Sequence, residues 1–229
     1  MSRTIACVFV KICGITSEED GLLAVAMDAD ALGFNFVSGS PRQIAPAVAR
    51  DIAKRLPADA LTIGIFRDEA PERVVQIVTQ AGLRGAQLHG RESVEATREV
   101  ASRVPLVIKA FSAHDPALAR ADEYGVEVVL VDGAHPGSGE TWDWDLVSAV
   151  PAGLKVLLAG GLTPDNVGEA VEAVRPWGVD AASGVERAGA SGGRKDPRKV
   201  RLFVANARAA APPWSPDDEL APYDWTEDT

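Results

Sequence analysis

Long apolar runs are missing from the sequence. Hydrophobic residues make up 46% of its 229 residues, but no stretch approaches the roughly 18 apolar residues of a membrane span. The opening segment, "MSRTIACVF", also lacks the apolar core and the small-residue cleavage site of a secretory signal. We therefore expect a cytoplasmic protein with no membrane partner.

Cysteine and histidine are scarce, with two and three copies. Cys7 and Cys13 lie six positions apart on what reads as one strand, and an extended strand would hold them about 20 Å from each other. They cannot pair without breaking that strand, and a reducing compartment keeps both as thiols. Because no cysteine and histidine spacing is typical of a metal site, we expect no bound metal.

Basic residues are outnumbered by acidic ones. The 23 lysines and arginines stand against 33 acids and give a net charge of −10. Binding of nucleic acid usually needs a clustered basic face that neutralises phosphates, so we expect no nucleic-acid partner. A small anion stays compatible with this charge, because backbone N–H groups bind anions whatever the net charge of the chain.

One pattern is present along most of the chain. Short runs rich in Val, Ile, Leu and Ala alternate with stretches whose apolar residues recur at helical spacing. Apolar strands that alternate with amphipathic helices predict a parallel sheet covered on both faces. Eight such units favour a closed (β/α)₈ barrel, with an open doubly wound sheet as the alternative. The eight predicted strands lie in "ACVFVKIC", "ALGFNFV", "ALTIGIF", "GAQLH", "PLVIKAF", "EVVLVD", "KVLLAG" and "VDAASG".

The repeating pattern ends after Arg208. We interpret residues 1–208 as one barrel domain that carries the chemistry. Residues 209–229 mix prolines, acids and isolated aromatics without periodicity, which is typical of a segment with little order. The sequence therefore predicts a single barrel followed by a short acidic tail.

Reactive side chains fall at the predicted strand ends, where barrel enzymes place their active sites. Cys13 ends the first strand, Asp132 the sixth and His89 the fourth. Arg42 follows the second strand and offers a planar fork for a carboxylate or phosphate. Taken singly, Cys13 also fits a small core residue, Asp132 a loop cap and Arg42 a solvated side chain. A histidine bonded within the core is an equal alternative for His89.

Glycine-rich loops follow the seventh and eighth strands, in "LAGGLTPDNV" and "DAASGVERAG". Glycine lets backbone N–H groups approach an anion, and the start of a following helix adds a favourable dipole. Barrels commonly hold a phosphate between these two loops. The residues expected to form this site are Gly160, Gly161, Ser183 and Gly184.

These motifs together resemble the phosphoribosylanthranilate isomerase family, the (β/α)₈ enzymes of tryptophan biosynthesis. The resemblance implies that Cys13 is the general base, Asp132 the general acid and Arg42 the ligand of the anthranilate carboxylate. It also implies that the two glycine loops hold the ribose phosphate, and that His89 and Gly139 belong to the substrate-binding set. The matching motifs, in order from residue 9 to about residue 208, are "KICGIT", "DALGFNF", "SPRQI", "GIF", "QLHG", "VIKA", "VDG", "GSGETWDW", "AGGLTPDNV" and "SGVE".

The implied reaction is an Amadori rearrangement of N-(5-phosphoribosyl)anthranilate to 1-(2-carboxyphenylamino)-1-deoxyribulose 5-phosphate. Asp132 would protonate the ring oxygen and the Cys13 thiolate would remove the proton on C2, with no metal or redox cofactor. The productive state thus needs a protonated Asp132 and an ionised Cys13, opposite to their ordinary preferences. We expect the positive end of a neighbouring helix to lower the pKa of the thiol.

Several alternatives stay open at this point. The chain departs from the family pattern at Ala182, where a serine is usual, and in the longer "ERAGASGGRKD". These departures are compatible with a paralogue acting on a related phosphorylated aminosugar, or with a non-catalytic binder of an anthranilate-like ligand. Related barrels that use paired carboxylates are disfavoured by the pair of Cys13 and Asp132. We further expect Lys11, Lys109 and Asp180 to form an ion cluster inside the barrel, and the chain to be a monomer or a homodimer.

Overall fold

The computed structural model describes residues 8–133, 143–189 and 191–212. Eight parallel strands form a closed barrel in chain order, in which the last strand pairs back with the first. Each predicted strand is present, so the predicted (β/α)₈ barrel is confirmed and the open sheet is excluded. The strands are β1 (Phe9–Cys13), β2 (Ala31–Asn35), β3 (Leu61–Phe66), β4 (Gly85–Leu88), β5 (Leu106–Ser112), β6 (Val128–Asp132), β7 (Lys155–Leu158) and β8 (Gly178–Ala181).

Helices surround the barrel. Short 3₁₀ helices, Pro116–Tyr124 and Trp144–Ala149, occupy the positions after β5 and β6 where the repeat would place α-helices. Within the described ranges, no helix combines the length and the apolar character that crossing a membrane requires. The α-helices are α1 (Glu18–Ala26), α2 (Pro46–Ala53), α3 (Pro71–Ala81), α4 (Val94–Ala101), α5 (Val167–Val174) and α6 (Pro197–Ala210).

Local sequence signals set the ends of these helices. Ser17 caps α1 by accepting a hydrogen bond from the N–H of Asp20 at 3.2 Å, and the acids of the first turn face the positive end of the helix dipole. Helix α3 begins at Pro71 and is followed by Gly82, whose φ of 66° is the left-handed conformation that favours glycine. Such caps fix where each helix returns the chain to the barrel.

Alternation along the strands separates two packed layers. On β1, Phe9 packs against the barrel interior, and Lys11 and Cys13 lie on the same face two and four positions later. Val10 and Ile12 point the other way, into the layer between the barrel and its helices. The interior layer consists of Ala31, Leu61, Ile63, Ile108, Ala110, Val128, Leu130, Leu157 and Ala159.

The predicted interior ion cluster is only partly correct. Lys11 and Asp180 pair at 2.8 Å inside the barrel. Lys109 lies between two interior residues of β5, so alternation turns it outward. There its Nζ lies 2.9 Å from Glu92 Oε2 and 2.9 Å from the Gly90 carbonyl. The prediction assigned Lys109 to the inward face of β5. Side chains alternate along a strand, so an error of one residue in that assignment exchanges the inward and outward faces.

Helix α6 is the last helix that the structure describes, and it runs to Ala210. The domain boundary at residue 208 stays a prediction. Arg208 ties this helix to the segment before β2 by donating a hydrogen bond to the Asp28 carbonyl at 2.6 Å. Residues 213–229 of the predicted tail lie outside the described residues, as does Cys7.

Candidate active site

A cavity of about 370 Å³ opens at the carboxyl ends of the strands. Eight of the nine predicted site residues line it, although they come from six different strand ends and loops. The ninth, Gly139, lies outside the described residues. Those that line the cavity are Cys13, Arg42, His89, Asp132, Gly160, Gly161, Ser183 and Gly184.

Cys13 stands at the end of β1 with 9% of its surface exposed. A side chain on Gly33 of the neighbouring strand would lie 2.9 Å from the sulfur, so the thiol packs against bare backbone. Burial raises the pKa of this thiol, while the charges of Lys11, Lys195 and Arg42 oppose that rise. The pKa of the thiol therefore lies above its usual value, because burial outweighs the nearby cations. The lowering expected from a helix end stays a prediction.

Asp132, His89 and Gln87 form a chain of polar groups in the cavity. His89 Nε2 lies 3.4 Å from Asp132 Oδ2, and Gln87 Nε2 lies 2.8 Å from His89 Nδ1. With the amide nitrogen of Gln87 facing the ring, as here, His89 Nδ1 is the acceptor, and this arrangement favours the tautomer with the ring proton on Nε2. His89 therefore presents an N–H to Asp132.

Two oxygens of this chain are left without partners. Asp132 Oδ1 and Gln87 Oε1 are buried and accept no hydrogen bond within the described part of the chain. A buried acceptor without a donor is costly, and both residues line the cavity. A ligand that brings hydroxyl or N–H donors to this wall would satisfy them.

Arg42 reaches the cavity from the loop after β2. Its Nε and Nη2 donate to the two oxygens of Glu186 at 2.6 and 3.0 Å. Burial alone would raise the pKa of Glu186, but the hydrogen bonds from Arg42 and the charge of Lys195 hold that pKa below its usual value. An ionised carboxylate thus fixes the guanidinium at the rim of the cavity, so Arg42 is not a freely solvated side chain.

The glycine-rich loops after β7 and β8 touch each other. A side chain on Gly184 would overlap the carbonyl of Leu162, so only glycine permits this approach. Asn166 braces the first loop by donating to the Gly161 carbonyl at 3.0 Å and accepting from the Thr163 N–H at 2.7 Å. Among the described residues, the N–H groups of Gly160 and Gly161 have no hydrogen-bond partner, which suits an anion.

The sequence did not identify three residues that complete this site. Gln87 and Glu186 lie inside the motifs "QLHG" and "SGVE". Membership in these motifs is the feature of the sequence that could have pointed to them. Lys195 follows the longer loop after β8 and is fully buried, and nothing in its sequence context marks it. In the part of the chain that the structure describes, no group of three or more His, Cys, Asp or Glu side chains is arranged to hold a metal ion.

Comparison with known proteins gives consistent matches over the barrel. The family model for N-(5'phosphoribosyl)anthranilate (PRA) isomerase matches residues 10–206. The N-(5'-phosphoribosyl)anthranilate isomerase of Desulforudis audaxviator (strain MP104C) is 47% identical over 208 residues, which are 88% of this chain and 98% of that relative.

Solved structures show the same similarity. The crystal structure of phosphoribosyl anthranilate isomerase from Thermus thermophilus superposes with a TM-score of 0.81 at 43% identity, over 88% of this chain and 99% of that one. A phosphoribosyl anthranilate isomerase in complex with reduced 1-(o-carboxyphenylamino)-1-deoxyribulose 5-phosphate gives a TM-score of 0.76 at 37% identity, with the same coverage.

Proposed function

We propose that this chain, which belongs to the N-(5'-phosphoribosyl)anthranilate isomerase family, catalyses the Amadori rearrangement of N-(5-phosphoribosyl)anthranilate in tryptophan biosynthesis. The observation that carries the proposal is one cavity lined by both Cys13 and Asp132, with Arg42 and the two glycine-rich loops around it. A proton donor, a proton acceptor and anchors for two anions are the parts that this isomerisation needs.

Two anchors would orient the substrate. The substrate carries an anthranilate carboxylate at one end and a ribose phosphate at the other. Arg42 suits the carboxylate because a guanidinium fork matches two carboxylate oxygens. The N–H groups of Gly160 and Gly161, with Ser183 and Gly184 across the touching loops, suit the phosphate. Binding at both ends would hold the ribose between Cys13 and Asp132.

Asp132 would act as the general acid in the first step. Its proton passes to the ring oxygen as the bond between C1 and that oxygen breaks, which opens the furanose and leaves an iminium at C1. The opening sugar brings hydroxyl donors to the wall where Asp132 Oδ1 and Gln87 Oε1 lack partners. His89, with its N–H on the Asp132 side, would stabilise the carboxylate that forms.

Cys13 would act as the general base in the second step. The iminium makes the proton on C2 acidic, and the thiolate removes it to give an enolamine that tautomerises to the ketone. One turnover thus leaves a proton on Cys13 and a charge on Asp132, and the raised pKa of Cys13 fits that state. Before the next turnover Cys13 gives up a proton and Asp132 takes one up, which restores both groups. The positive charge of Lys11 favours the loss of the proton from Cys13.

The binding partner of the cavity is accordingly a small phosphorylated molecule. The chain would work as a monomer or as a homodimer, and one solved relative is described as monomers made from the dimeric enzyme of Thermotoga maritima. The cytoplasmic location stays a prediction from the sequence.

Loss of substrate fluorescence tests the activity directly. Phosphoribosylanthranilate is generated in situ and its fluorescence is followed with the wild-type protein and with Cys13→Ala. We expect decay at a rate proportional to wild-type enzyme and none above background with Cys13→Ala. No decay with either protein, together with retained binding of the reduced product, would instead identify a non-catalytic ligand binder.

A further inference from the structure

We propose that Lys195 is a positioning residue that balances the charge of Glu186, so that Glu186 can hold Arg42 in place while the three side chains together keep a net positive charge for the ligand carboxylate. This inference rests on the proposed role of Arg42 in binding the anthranilate carboxylate. It assigns a task to a buried lysine that neither gives nor takes a proton in the proposed reaction.

The contact with Glu186 leaves one edge of Arg42 available. Glu186 accepts from Nε at 2.6 Å and from Nη2 at 3.0 Å. A guanidinium has five N–H donors, so the edge formed by Nη1 and the second hydrogen of Nη2 is still unused. Within the described residues, Nη1 has no hydrogen-bond partner. This second edge can form a two-point contact with a carboxylate while the first stays on Glu186.

The stem of Arg42 is also held in place. A side chain added to Gly193 would lie 2.8 Å from Arg42 Cγ, and one added to Gly14 would overlap Arg42 Cδ. Both glycines have positive φ, 69° and 78°. The stem therefore runs between two bare backbone segments, one after β1 and one before α6, and the direction of the fork is restricted from both sides.

Fixing an arginine with a carboxylate has an electrostatic cost for an anion site. A paired arginine and glutamate carry no net charge, so the pair attracts a carboxylate ligand less than a lone arginine does. Lys195 changes this balance. Its Nζ donates to Glu186 Oε1 at 3.1 Å and to the Ala182 carbonyl at 3.1 Å. Two cations and one carboxylate then leave one net positive charge beside the cavity.

Lys195 is well suited to this task because it cannot serve the ligand itself. It has no exposed surface and is absent from the cavity lining. Burial lowers the pKa of Lys195, and the Glu186 carboxylate opposes that change. The contact between its Nζ and Glu186 Oε1 at 3.1 Å makes the lysine the counter-charge behind Glu186, whereas Arg42 is the cation that lines the cavity.

Two unreactive ligands test the proposal by binding alone. The first is the reduced product, 1-(2-carboxyphenylamino)-1-deoxyribitol 5-phosphate, and the second is the same molecule without the carboxyl group. Binding is preferred to turnover as the readout because Lys195 also favours the Cys13 thiolate. Dissociation constants are measured by calorimetry for the wild type, Lys195→Met, and the double variant Lys195→Met/Glu186→Gln.

We expect Lys195→Met to weaken binding of the carboxylate ligand roughly tenfold, because one positive charge is lost. The ligand without the carboxyl group should change by no more than about twofold. The double variant removes the carboxylate as well, so one net positive charge returns, and affinity should recover to within about threefold of the wild type. Because the double variant buries no unpaired charge, it tests the proposal even where Lys195→Met does not fold.

Equal weakening of both ligands by Lys195→Met, or a double variant that is at least as weak as the single one, would overturn the proposal in favour of a purely structural lysine. Arg42→Lys separates this failure from failure of the proposed function. If Arg42→Lys selectively weakens the carboxylate ligand but Lys195→Met does not, only the inference about Lys195 fails. If neither variant discriminates between the ligands, the proposed role of Arg42 fails as well.

Discussion

Lys11 donates a 2.8 Å hydrogen bond to Asp180 inside the barrel, on the same face of β1 as Cys13 and two positions before it. Burial, the largest single effect, favours the neutral form of Lys11, but the charges and hydrogen bonds of Asp180 and Cys13 together outweigh it and raise the pKa of Lys11 above its ordinary value. The lysine therefore stays charged beneath the thiol. A fixed cation at this depth would help Cys13 to release its proton although the thiol is buried.

The first prediction concerns the ionisation of Cys13. Lys11→Met removes a cation that lowers the thiol pKa and leaves Asp180, which raises it. The rate of alkylation by iodoacetamide follows the thiolate, so in the wild type it should rise at a higher pH than for an ordinary cysteine. In Lys11→Met the rise should move to still higher pH.

Lys109→Met is the matched control for this measurement. It removes an equally buried lysine with a carboxylate partner, Glu92, but on the outer face of the barrel. Both variants should lose stability, because each leaves a buried carboxylate unpaired. Only Lys11→Met should shift the pH profile of alkylation. A shift of the same size in Lys109→Met would mean that the reactivity of the thiol follows the loss of barrel stability and not the charge of Lys11.

The second prediction concerns the fork of Arg42. Losing a two-point contact with a carboxylate should weaken binding of the reduced product by about 1.5–3 kcal/mol, roughly ten- to hundredfold. Arg42→Lys keeps the charge without the planar fork, so it should recover only part of what Arg42→Ala loses. Titration calorimetry of the two variants measures this difference. Unchanged binding and turnover in Arg42→Ala would remove Arg42 from the site.

The third prediction concerns the tautomer of His89. Because Gln87 Nε2 donates to His89 Nδ1 at 2.8 Å, the ring proton should reside on Nε2 in the ligand-free protein. Nitrogen chemical shifts from NMR report the tautomer, and the chain has only three histidines to assign. In Gln87→Met the preference for the Nε2–H form should weaken. A proton on Nδ1 in the wild type would contradict the polar chain described above.

The fold follows from the sequence because its signals are local. Strand alternation and helix caps act over a few residues, and they predict the barrel and the strand-end positions of Cys13 and Asp132. The face of a strand on which a residue lies is harder to predict, because an error of one residue exchanges the two faces. The prediction placed Lys109 inside the barrel, and the structure places it outside.

The electrostatics of the site could not be predicted in the same way. Arg42 and Glu186 are 144 residues apart, and their contact exists only once the barrel closes. The pKa of Cys13 is set first by burial, a property of the assembled site that no local motif encodes. Lys195 likewise gains its role from the carboxylate that it meets in the fold.

The central claim is that Asp132 delivers a proton, and Asp132→Asn tests it most directly. Asparagine keeps the shape of the side chain but has no acidic proton for the ring oxygen. General acid catalysis typically contributes 10² to 10⁴-fold, so the turnover number should fall by at least about that much. The melting temperature and the dissociation constant of the reduced product should stay close to those of the wild type. If Asp132→Asn retains turnover within a few fold of the wild type, Asp132 is not the general acid, and the mechanism proposed for this cavity is wrong.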